Sequence, residues 1–209
     1  VYLAKQLSMG RSVALKILNP GFLDKERAER FLEEARNTAK FENPHVVTVI
    51  DAGISDEGLY FIAMQYVAGR TLEEILMRGH VFSEEEALSI VLTVAEALRK
   101  VWDKFKMFHR DIKPANIMLT PEKEAMVLDM GLAQERGSSV LADGNIEGSP
   151  YYMSPEQARG EELTWSSDLY SLGATLYQMV AGAYPYDGPS VEVIMRPQPS
   201  DKESPPGNR

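Results

Sequence analysis

Four polar side chains in the middle of the chain have the types and spacing needed to move a phosphoryl group. Asp111, Lys113 and Asn116 lie in one segment after a long helical pattern, and Asp129 follows Asn116 by thirteen residues. Because two loops leave neighbouring predicted strands here, we expect Asp111, Asn116 and Asp129 to converge. Such a set supplies two oxygen ligands for Mg²⁺ and a third carboxylate that can receive a proton. Lys113 points the same way along an extended segment and could neutralise a transferring phosphoryl group.

The composition of the 209-residue chain excludes several other kinds of site. The absence of cysteine excludes disulfides, a thiolate zinc site and a cysteine nucleophile. The net charge is −9 and no basic run occurs, so we expect no nucleic-acid partner. No apolar stretch has the length of a membrane span, and the first residues lack the segments of a signal peptide. These features predict a cytoplasmic protein, or the cytoplasmic part of a membrane-anchored parent.

The first third of the chain predicts a small β-rich unit with one helix. Two β runs at residues 1–5 and 12–18, joined by a turn, predict a hairpin. A helical pattern over about residues 24–40 follows and ends before Pro44, because the residue before a proline is pushed out of the α region. Two further β runs are predicted at residues 46–50 and 59–67.

After Gly69 the pattern becomes mainly helical. Capping-box signatures at residues 71–74 and 83–86 mark two helix starts, and the second helix should run to about Phe105. Another helix is predicted over residues 166–181, and it is apolar on nearly every side, which is typical of a buried helix. The segment between these helices is predicted to form short strands and loops.

Six motifs, in order along the chain, resemble those of the eukaryotic-type (Hanks-type) Ser/Thr protein kinase catalytic domain. Residues 153–160 are similar to its bacterial branch in particular. The motifs are the strand with the ATP-anchoring lysine (13–16), its partner glutamate (Glu34), the catalytic loop (109–116), the metal-binding tripeptide (129–131), the end of the activation segment (154–156) and the structural anchor aspartate (Asp168). Because the match depends on several motifs at family spacing, it is much more specific than any one of them.

The resemblance implies an α+β fold, the two-lobed protein-kinase-like fold. A small antiparallel β lobe with one helix would span residues 1–67, and it would lack the family's first strand and Gly-rich loop. A larger, mainly helical lobe would span residues 68–195 and would be partial, without the family's later helices. Residues 196–209 are rich in Pro, Ser and charge and are predicted to be a disordered tail. The missing helices predict exposed apolar surface.

The resemblance also implies ATP and Mg²⁺ as cofactors and assigns roles to individual residues. Asp111 would accept the proton of the substrate hydroxyl, and Lys113 would stabilise charge on the γ-phosphoryl group. Asn116 and Asp129 would bind the metal ions. Lys16, paired with Glu34, would hold the α and β phosphates. The implied ATP-binding residues are Val1, Ala14, Lys16, Glu34, Met64, Gln65, Tyr66, Val67 and Met118, whose apolar members are equally plausible as plain core.

The activation segment implied by the resemblance raises the question of how the site is switched on. Arg110 before the catalytic aspartate usually means that a phosphorylated residue must pair with it, and Ser138 and Ser139 are the candidates. Our hypothesis is that Asp143 supplies a permanent negative charge instead, although a solvated loop acid is as plausible. The remaining implied members are Ser149, at the substrate-platform position, and Glu156, whose usual arginine partner is missing.

These observations favour an ATP-dependent protein serine/threonine kinase over two alternatives. A pseudokinase or signalling scaffold would fit the missing Gly-rich loop, but Lys16, Asp111, Asn116 and Asp129 are all present. A small-molecule phosphotransferase of related fold is disfavoured by Lys113, and by the segment at residues 154–156 that supports a peptide platform. The implied partner is a protein substrate with a Ser or Thr acceptor. The sequence identifies neither that substrate nor the oligomeric state, and a homodimer is compatible with it.

Overall fold

Two antiparallel sheets, four α-helices and some residues of a further helix lie in the part of the chain that the structure, a computed structural model, describes. That part is residues 1–18, 29, 32–33, 35–36, 38–130 and 150–186. In the helix predicted over residues 24–40, the described residues 29, 32–33, 35–36 and 38 are helical. The predicted tail at residues 196–209 lies outside the described residues. Within the described residues, no helix combines the length and the apolar character that crossing a bilayer requires.

The first sheet has four strands: β1 (Tyr2–Gln6), β2 (Arg11–Ile17), β3 (Val49–Ile54) and β4 (Tyr60–Gln65). Their spatial order is β1-β2-β4-β3, and every neighbouring pair is antiparallel. The β1–β2 hairpin confirms the prediction. Gly10 closes its turn with a φ of +66°, in the left-handed region that glycine adopts without a steric penalty.

The strand predicted over residues 46–50 is wrong in its first three positions, because β3 begins only at Val49. Val46 forms a parallel bridge with Val127 of the second sheet, and the amide of Val47 donates to the carbonyl of Val127 at 2.9 Å. Val46 and Val47 are both buried, but they belong to different cores on opposite sides of the chain. Two consecutive valines therefore indicated burial on both sides of the chain correctly, whereas the point where the strand begins depends on tertiary packing.

A second, three-stranded sheet and four α-helices follow the first sheet in the chain. The strands β5 (Arg70–Thr71), β6 (Ile117–Leu119) and β7 (Ala125–Val127) pair in chain order. The helices are α1 (Leu72–Met77), α2 (Glu84–Phe105), α3 (Pro155–Ala158) and α4 (Trp165–Ala181). The predicted capping box at residues 71–74 is confirmed, since Thr71 and Glu74 exchange both hydrogen bonds, at 3.1 and 3.2 Å.

Two apolar cores meet at β7. The upper core, beside the first sheet, contains Leu32, Ala35, Val47, Val49, Ile62, Met64 and Met126. The lower core lies between α2, α4 and the second sheet and includes Val94, Leu98, Ile112, Val127, Met130, Leu172 and Met179. Met126 and Val127 are neighbours in the chain and point into different cores. The β6–β7 hairpin is therefore the layer that the two cores share.

The α4 helix is less completely covered than its sequence pattern predicted. Leu172 and Met179 are buried, but Trp165 and Leu169 at its start are 51% and 40% exposed. They line an open apolar groove of about 830 Å³ between α2 and α4, together with Leu92 and Trp102. The prediction of burial on nearly every side is wrong for this face, and the prediction of exposed apolar surface is confirmed.

Gly69 lies where the chain leaves the first sheet, and it leaves no room for a side chain. A Cβ atom placed on it would lie 2.2 Å from the carbonyl oxygen of Leu119 in β6. We expect Gly69→Ala to lower the free energy of unfolding by about 1–3 kcal/mol, because the backbone of β6 must shift. Urea titration checks this value.

Gly173 in α4 provides the matched control, since a Cβ atom there meets nothing within 4 Å. We expect Gly173→Ala to leave stability unchanged or to raise it by up to about 1 kcal/mol, because alanine favours a helix interior. Equal effects of the two substitutions would contradict the close contact at Gly69.

Candidate active site

The short 3-10 turn Pro114–Asn116 folds the chain back so that Asn116 reaches Asp111. Asn116 Nδ2 donates to the carbonyl oxygen of Asp111 at 2.7 Å and to its Oδ2 at 2.9 Å. Lys113 Nζ lies 2.8 Å from the same Oδ2. Both side-chain contacts use Oδ2, so Oδ1 of Asp111 is the oxygen that is left to accept a proton. The three catalytic-loop residues predicted to work together therefore lie in mutual contact.

A second ion pair joins the first sheet to the segment after β7. Lys16 Nζ, on β2, lies 2.8 Å from Asp129 Oδ2, and the two side chains are 21% and 23% exposed. The backbone of Asp129 is left-handed, with a φ of +52°, which is uncommon for a residue other than glycine. The predicted partner of Lys16, Glu34, lies outside the described residues. The partner that the structure describes is Asp129, a residue that the sequence had assigned to the metal.

Asp168, at the start of α4, accepts hydrogen bonds from two backbone amides of the catalytic loop. The amide of His109 donates to its Oδ2 at 2.6 Å, and the amide of Arg110 donates to its Oδ1 at 2.7 Å. Arg110 has a φ of +70°, so the carboxylate also holds a left-handed backbone in place. Burial raises the pKa of Asp168, while hydrogen bonds from the amides of His109 and Arg110 and the charge of Arg110 oppose the rise.

His109 links the catalytic loop to the segment that carries Asp129. Its Nδ1 accepts from the amide of Asp111 at 3.2 Å, and its Nε2 lies 2.7 Å from the carbonyl oxygen of Leu128. These partners require a neutral ring with its proton on Nε2. The amide of Leu128 also donates to the carbonyl of Asn116 at 2.9 Å. The loops that carry Asp111 and Asp129 are thus joined by hydrogen bonds at both ends of the catalytic loop.

Two positioning residues were missed by the sequence analysis. Gln157 of α3 donates through Nε2 to the carbonyl of Arg110 at 2.8 Å, and the hydroxyl of Ser171 on α4 donates to the carbonyl of Tyr152 at 2.7 Å. The N-cap signature at Ser154, whose Oγ accepts from the amide of Gln157, could have predicted the short helix. No sequence signal shows that the Gln157 side chain turns toward the catalytic loop.

The activation-segment residues are only partly described. Ser138, Ser139, Asp143 and Ser149 lie outside the described residues. The guanidinium of Arg110 lies 5.0 Å from the ring centroid of Phe108. Glu156 accepts from the hydroxyl of Ser167 at 2.5 Å. Burial alone would raise the pKa of Glu156, but hydrogen bonds from Ser167, its own backbone amide and Ser154 outweigh burial and lower it.

The apolar residues assigned to the nucleotide site lie mostly together. Ala14 is opposite Met64 in the β2–β4 register, and both contribute to the upper core with Val67 and Met118. Of the other positions predicted beside them, Tyr66 is 44% exposed, Val1 is 74% exposed and the polar Gln65 is exposed as well. The structure thus brings four of the predicted positions into one apolar surface, and it leaves Val1 largely in solvent.

The residues present suit a hard cation only as part of a larger ligand set. In the described ranges, no group of three or more His, Cys, Asp or Glu side chains could hold a metal ion. Asp129 offers Oδ1, since its Oδ2 contacts Lys16, and Asn116 offers Oδ1, since its Nδ2 is bound to Asp111. Mg²⁺ is commonly bound by one or two such oxygens together with water and substrate phosphates. The donor chemistry therefore fits Mg²⁺ bound together with a polyphosphate.

Comparisons with known proteins agree on one family. The family model described as "Protein kinase domain" matches residues 1–202. The chain is 40% identical over 210 residues to the probable serine/threonine-protein kinase CPE1738 of Clostridium perfringens (strain 13 / Type A). It is 37% identical over 196 residues to the serine/threonine-protein kinase PrkC of Bacillus subtilis (strain 168). These alignments cover 100% and 93% of this chain, but only 30% of each relative.

Solved structures give the same result for the fold. The crystal structure of the Mycobacterium tuberculosis PknI kinase domain superposes with a TM-score of 0.72 at 32% sequence identity, covering 89% of this chain and 70% of that one. The fold thus follows an architecture already known from experiment.

Proposed function

The chain belongs to the protein kinase domain family and has its two-lobed α+β fold, and on that basis we propose that it transfers the γ-phosphoryl group of Mg-ATP to Ser or Thr hydroxyls of proteins. The observation that carries the proposal is the contact of Asp111 with both Lys113 and Asn116. A carboxylate held this way, with one oxygen left over, suits a general base for a hydroxyl group. Because the chain spans only 30–40% of the first curated relatives, the activity of the whole protein is part of this proposal.

Each polar residue of the site has a proposed step. Asp111 orients the acceptor hydroxyl and takes its proton at Oδ1. Lys113 lies 2.8 Å from the same carboxylate, and it stabilises the negative charge of the phosphoryl group during the transfer. Lys16 holds the α and β phosphates, for which it must leave Asp129 or share it. Asn116 and Asp129 would hold Mg²⁺, which supplies charge neutralisation of the phosphates when it is bound.

The division into lobes is part of the same proposal. A small lobe over residues 1–67 and a larger one over residues 68–195 are supported by the two cores: the upper core is built mainly from residues before 68 with Met126 added, and the lower core mainly from residues after 68 with Phe41 and Val46 added. A nucleotide would lie where Ala14, Met64 and Met118 form a common apolar surface. A cytoplasmic location and a homodimer stay predictions from the sequence.

Binding of Mg-ATP is the first test, measured by calorimetry on this chain with Asp129→Asn as the comparison. We expect magnesium-dependent binding that Asp129→Asn weakens at least about tenfold, since a neutral amide is a poorer Mg²⁺ ligand than a carboxylate. ADP without magnesium should bind both proteins alike, which controls for damage to the apolar surface. Equal magnesium dependence in both proteins would contradict the role of Asp129.

Transfer of the γ-phosphoryl group is tested next, with radiolabelled ATP and a Ser/Thr peptide mixture. Label on Ser or Thr supports the proposed function. Mg-ATP binding without transfer, in the full-length protein, would favour a pseudokinase or scaffold instead.

A further inference from the structure

A buried threonine lies where the two apolar cores meet. Thr38 is 1% exposed and is the last helical residue before Phe41. Ala35, one turn earlier, packs in the upper core. Phe41, whose amide donates to the carbonyl of Thr38 at 3.0 Å, packs in the lower core. A hydroxyl buried among apolar groups is costly unless it forms a hydrogen bond. The group that the Thr38 hydroxyl contacts therefore indicates what this residue does.

The hydroxyl of Thr38 contacts the segment that carries Asp129. Thr38 Oγ1 donates to the carbonyl oxygen of Met130 at 3.1 Å, and the two residues are 92 positions apart in the chain. A threonine in a helix commonly donates to a carbonyl of its own preceding turn. Here the hydroxyl reaches out of its helix, to the residue directly after Asp129. The contact thus joins the helical residues beside the first sheet to the proposed metal-binding segment.

The backbone around Asp129 is restrained on both sides. Before it, the carbonyl oxygen of Leu128 lies 2.7 Å from Nε2 of His109 in the catalytic loop. After it, the side chain of Met130 is 1% exposed, and its carbonyl is bound by Thr38. Asp129 itself has a φ of +52°. A residue other than glycine keeps such a conformation only where the surrounding structure holds it there. The catalytic loop supplies that restraint on one side, and Thr38 supplies it on the other.

We propose that Thr38 is a positioning residue for Asp129, because its hydroxyl holds the Met130 carbonyl and so keeps the Asp129 carboxylate in place. The proposal rests on the proposed kinase function, in which Asp129 would bind Mg²⁺. Oδ2 of Asp129 contacts Lys16, so Oδ1 is the oxygen that is left for the metal. Rotation of the Asp129 backbone would move both oxygens. Lys16 does not prevent such a rotation by itself, since a lysine side chain is flexible.

Nucleotide binding to two variants of the full-length protein tests the proposal by calorimetry. Valine has nearly the shape of threonine and lacks the donor, whereas serine keeps the donor. We expect Thr38→Val to weaken the binding of Mg-ATP about threefold to tenfold, and to leave the binding of ADP without magnesium within about twofold. Thr38→Ser should bind Mg-ATP within about twofold of the unmodified protein. Equal losses for the two nucleotides, or equal losses in the two variants, would overturn the proposal.

Thr175 on α4 provides the matched control. It is also a fully buried threonine, and its hydroxyl donates to the carbonyl of Ser171 within the same helix, at 2.9 Å. Thr175→Val therefore removes a buried hydroxyl without touching the Asp129 segment. We expect it to leave the magnesium dependence of binding unchanged, even where it alters stability. A loss of magnesium dependence in this variant as large as that in Thr38→Val would contradict a specific role of Thr38.

Amide hydrogen exchange without nucleotide separates this proposal from the proposed function. The amide of Leu128 donates to a carbonyl of the catalytic loop, so it exchanges only when the segment beside Asp129 opens. Relative to the amide of Val94 in α2, we expect Thr38→Val to speed this exchange at least about threefold, and Thr38→Ser to leave it unchanged. Faster exchange in a protein that binds no Mg-ATP would overturn the proposed function and retain the restraint by Thr38. Unchanged exchange in Thr38→Val would overturn the proposal.

Discussion

Replacing Asp111 by Asn is expected to lower the rate of phosphoryl transfer at least about 10³-fold and to leave Mg-ATP binding within about twofold of the unmodified protein. The amide has nearly the shape of the carboxylate and cannot accept the proton of the acceptor hydroxyl. General-base catalysis contributes about 10²–10⁴-fold in enzymes, and here the same group also orients the acceptor. Its loss should therefore appear in kcat rather than in KM for ATP.

The measurement is the initial rate of transfer from radiolabelled ATP to a Thr peptide, with ATP affinity from calorimetry. Asp103→Asn is the matched control, because Asp103 is an exposed aspartate on α2 whose partner is Arg99, 2.8 Å away. It should change neither quantity. A transfer rate above one tenth of normal in Asp111→Asn would mean that another group accepts the proton.

Replacing Asp168 by Ala is expected to lower the free energy of unfolding by about 2–5 kcal/mol. It is also expected to abolish activity, although Asp168 contacts none of the reacting atoms. The substitution leaves the amides of His109 and Arg110 buried without their acceptor, at a cost of about 1–3 kcal/mol for each group. It also releases Arg110 from its left-handed backbone. Asp111 is the next residue, so its carboxylate should lose its position.

Urea unfolding and the transfer rate together check this role. Asp168→Asn keeps one carbonyl oxygen and should restore about half of the lost stability. Glu162→Ala, at an exposed acid just before α4, should change neither stability nor rate. A loss in Asp168→Ala below about 1 kcal/mol, with a normal rate, would mean that the catalytic loop holds its conformation without this carboxylate.

The sequence predicted contacts that lie within one segment better than contacts between segments. The cluster of Asp111, Lys113 and Asn116 follows from their spacing, because a short turn suffices to bring them together. The pair formed by Lys16 and Asp129 was not predicted, because it joins residues 113 positions apart and its partner choice depends on how two cores are placed.

The prediction of secondary structure was likewise better where it depended on one segment than where it depended on contacts between segments. Helix ends with strong local signals, such as the capping box at Thr71, were correct. The strand predicted to begin at Val46 begins only at Val49, because consecutive valines indicate burial on both sides without showing which strand lies beside them. Nothing in the sequence indicated that Gln157 contacts the catalytic loop. Its side chain turns toward the carbonyl of Arg110, and the position of that carbonyl is defined only in the folded chain.

The tripeptide Ala125–Val127 has a consequence for how the protein can vary in evolution. All three side chains are at most 6% exposed, and neighbouring ones enter different cores. A typical surface strand tolerates polar residues at every second position, whereas this one offers none. A polar residue at position 125 or 127 would disturb the lower core, and one at position 126 would disturb the upper core. Either change would also disturb, through Leu128, the hydrogen bond to His109. We therefore expect this tripeptide to accept only small apolar exchanges, and any compensating change to lie in the core that the altered side chain enters.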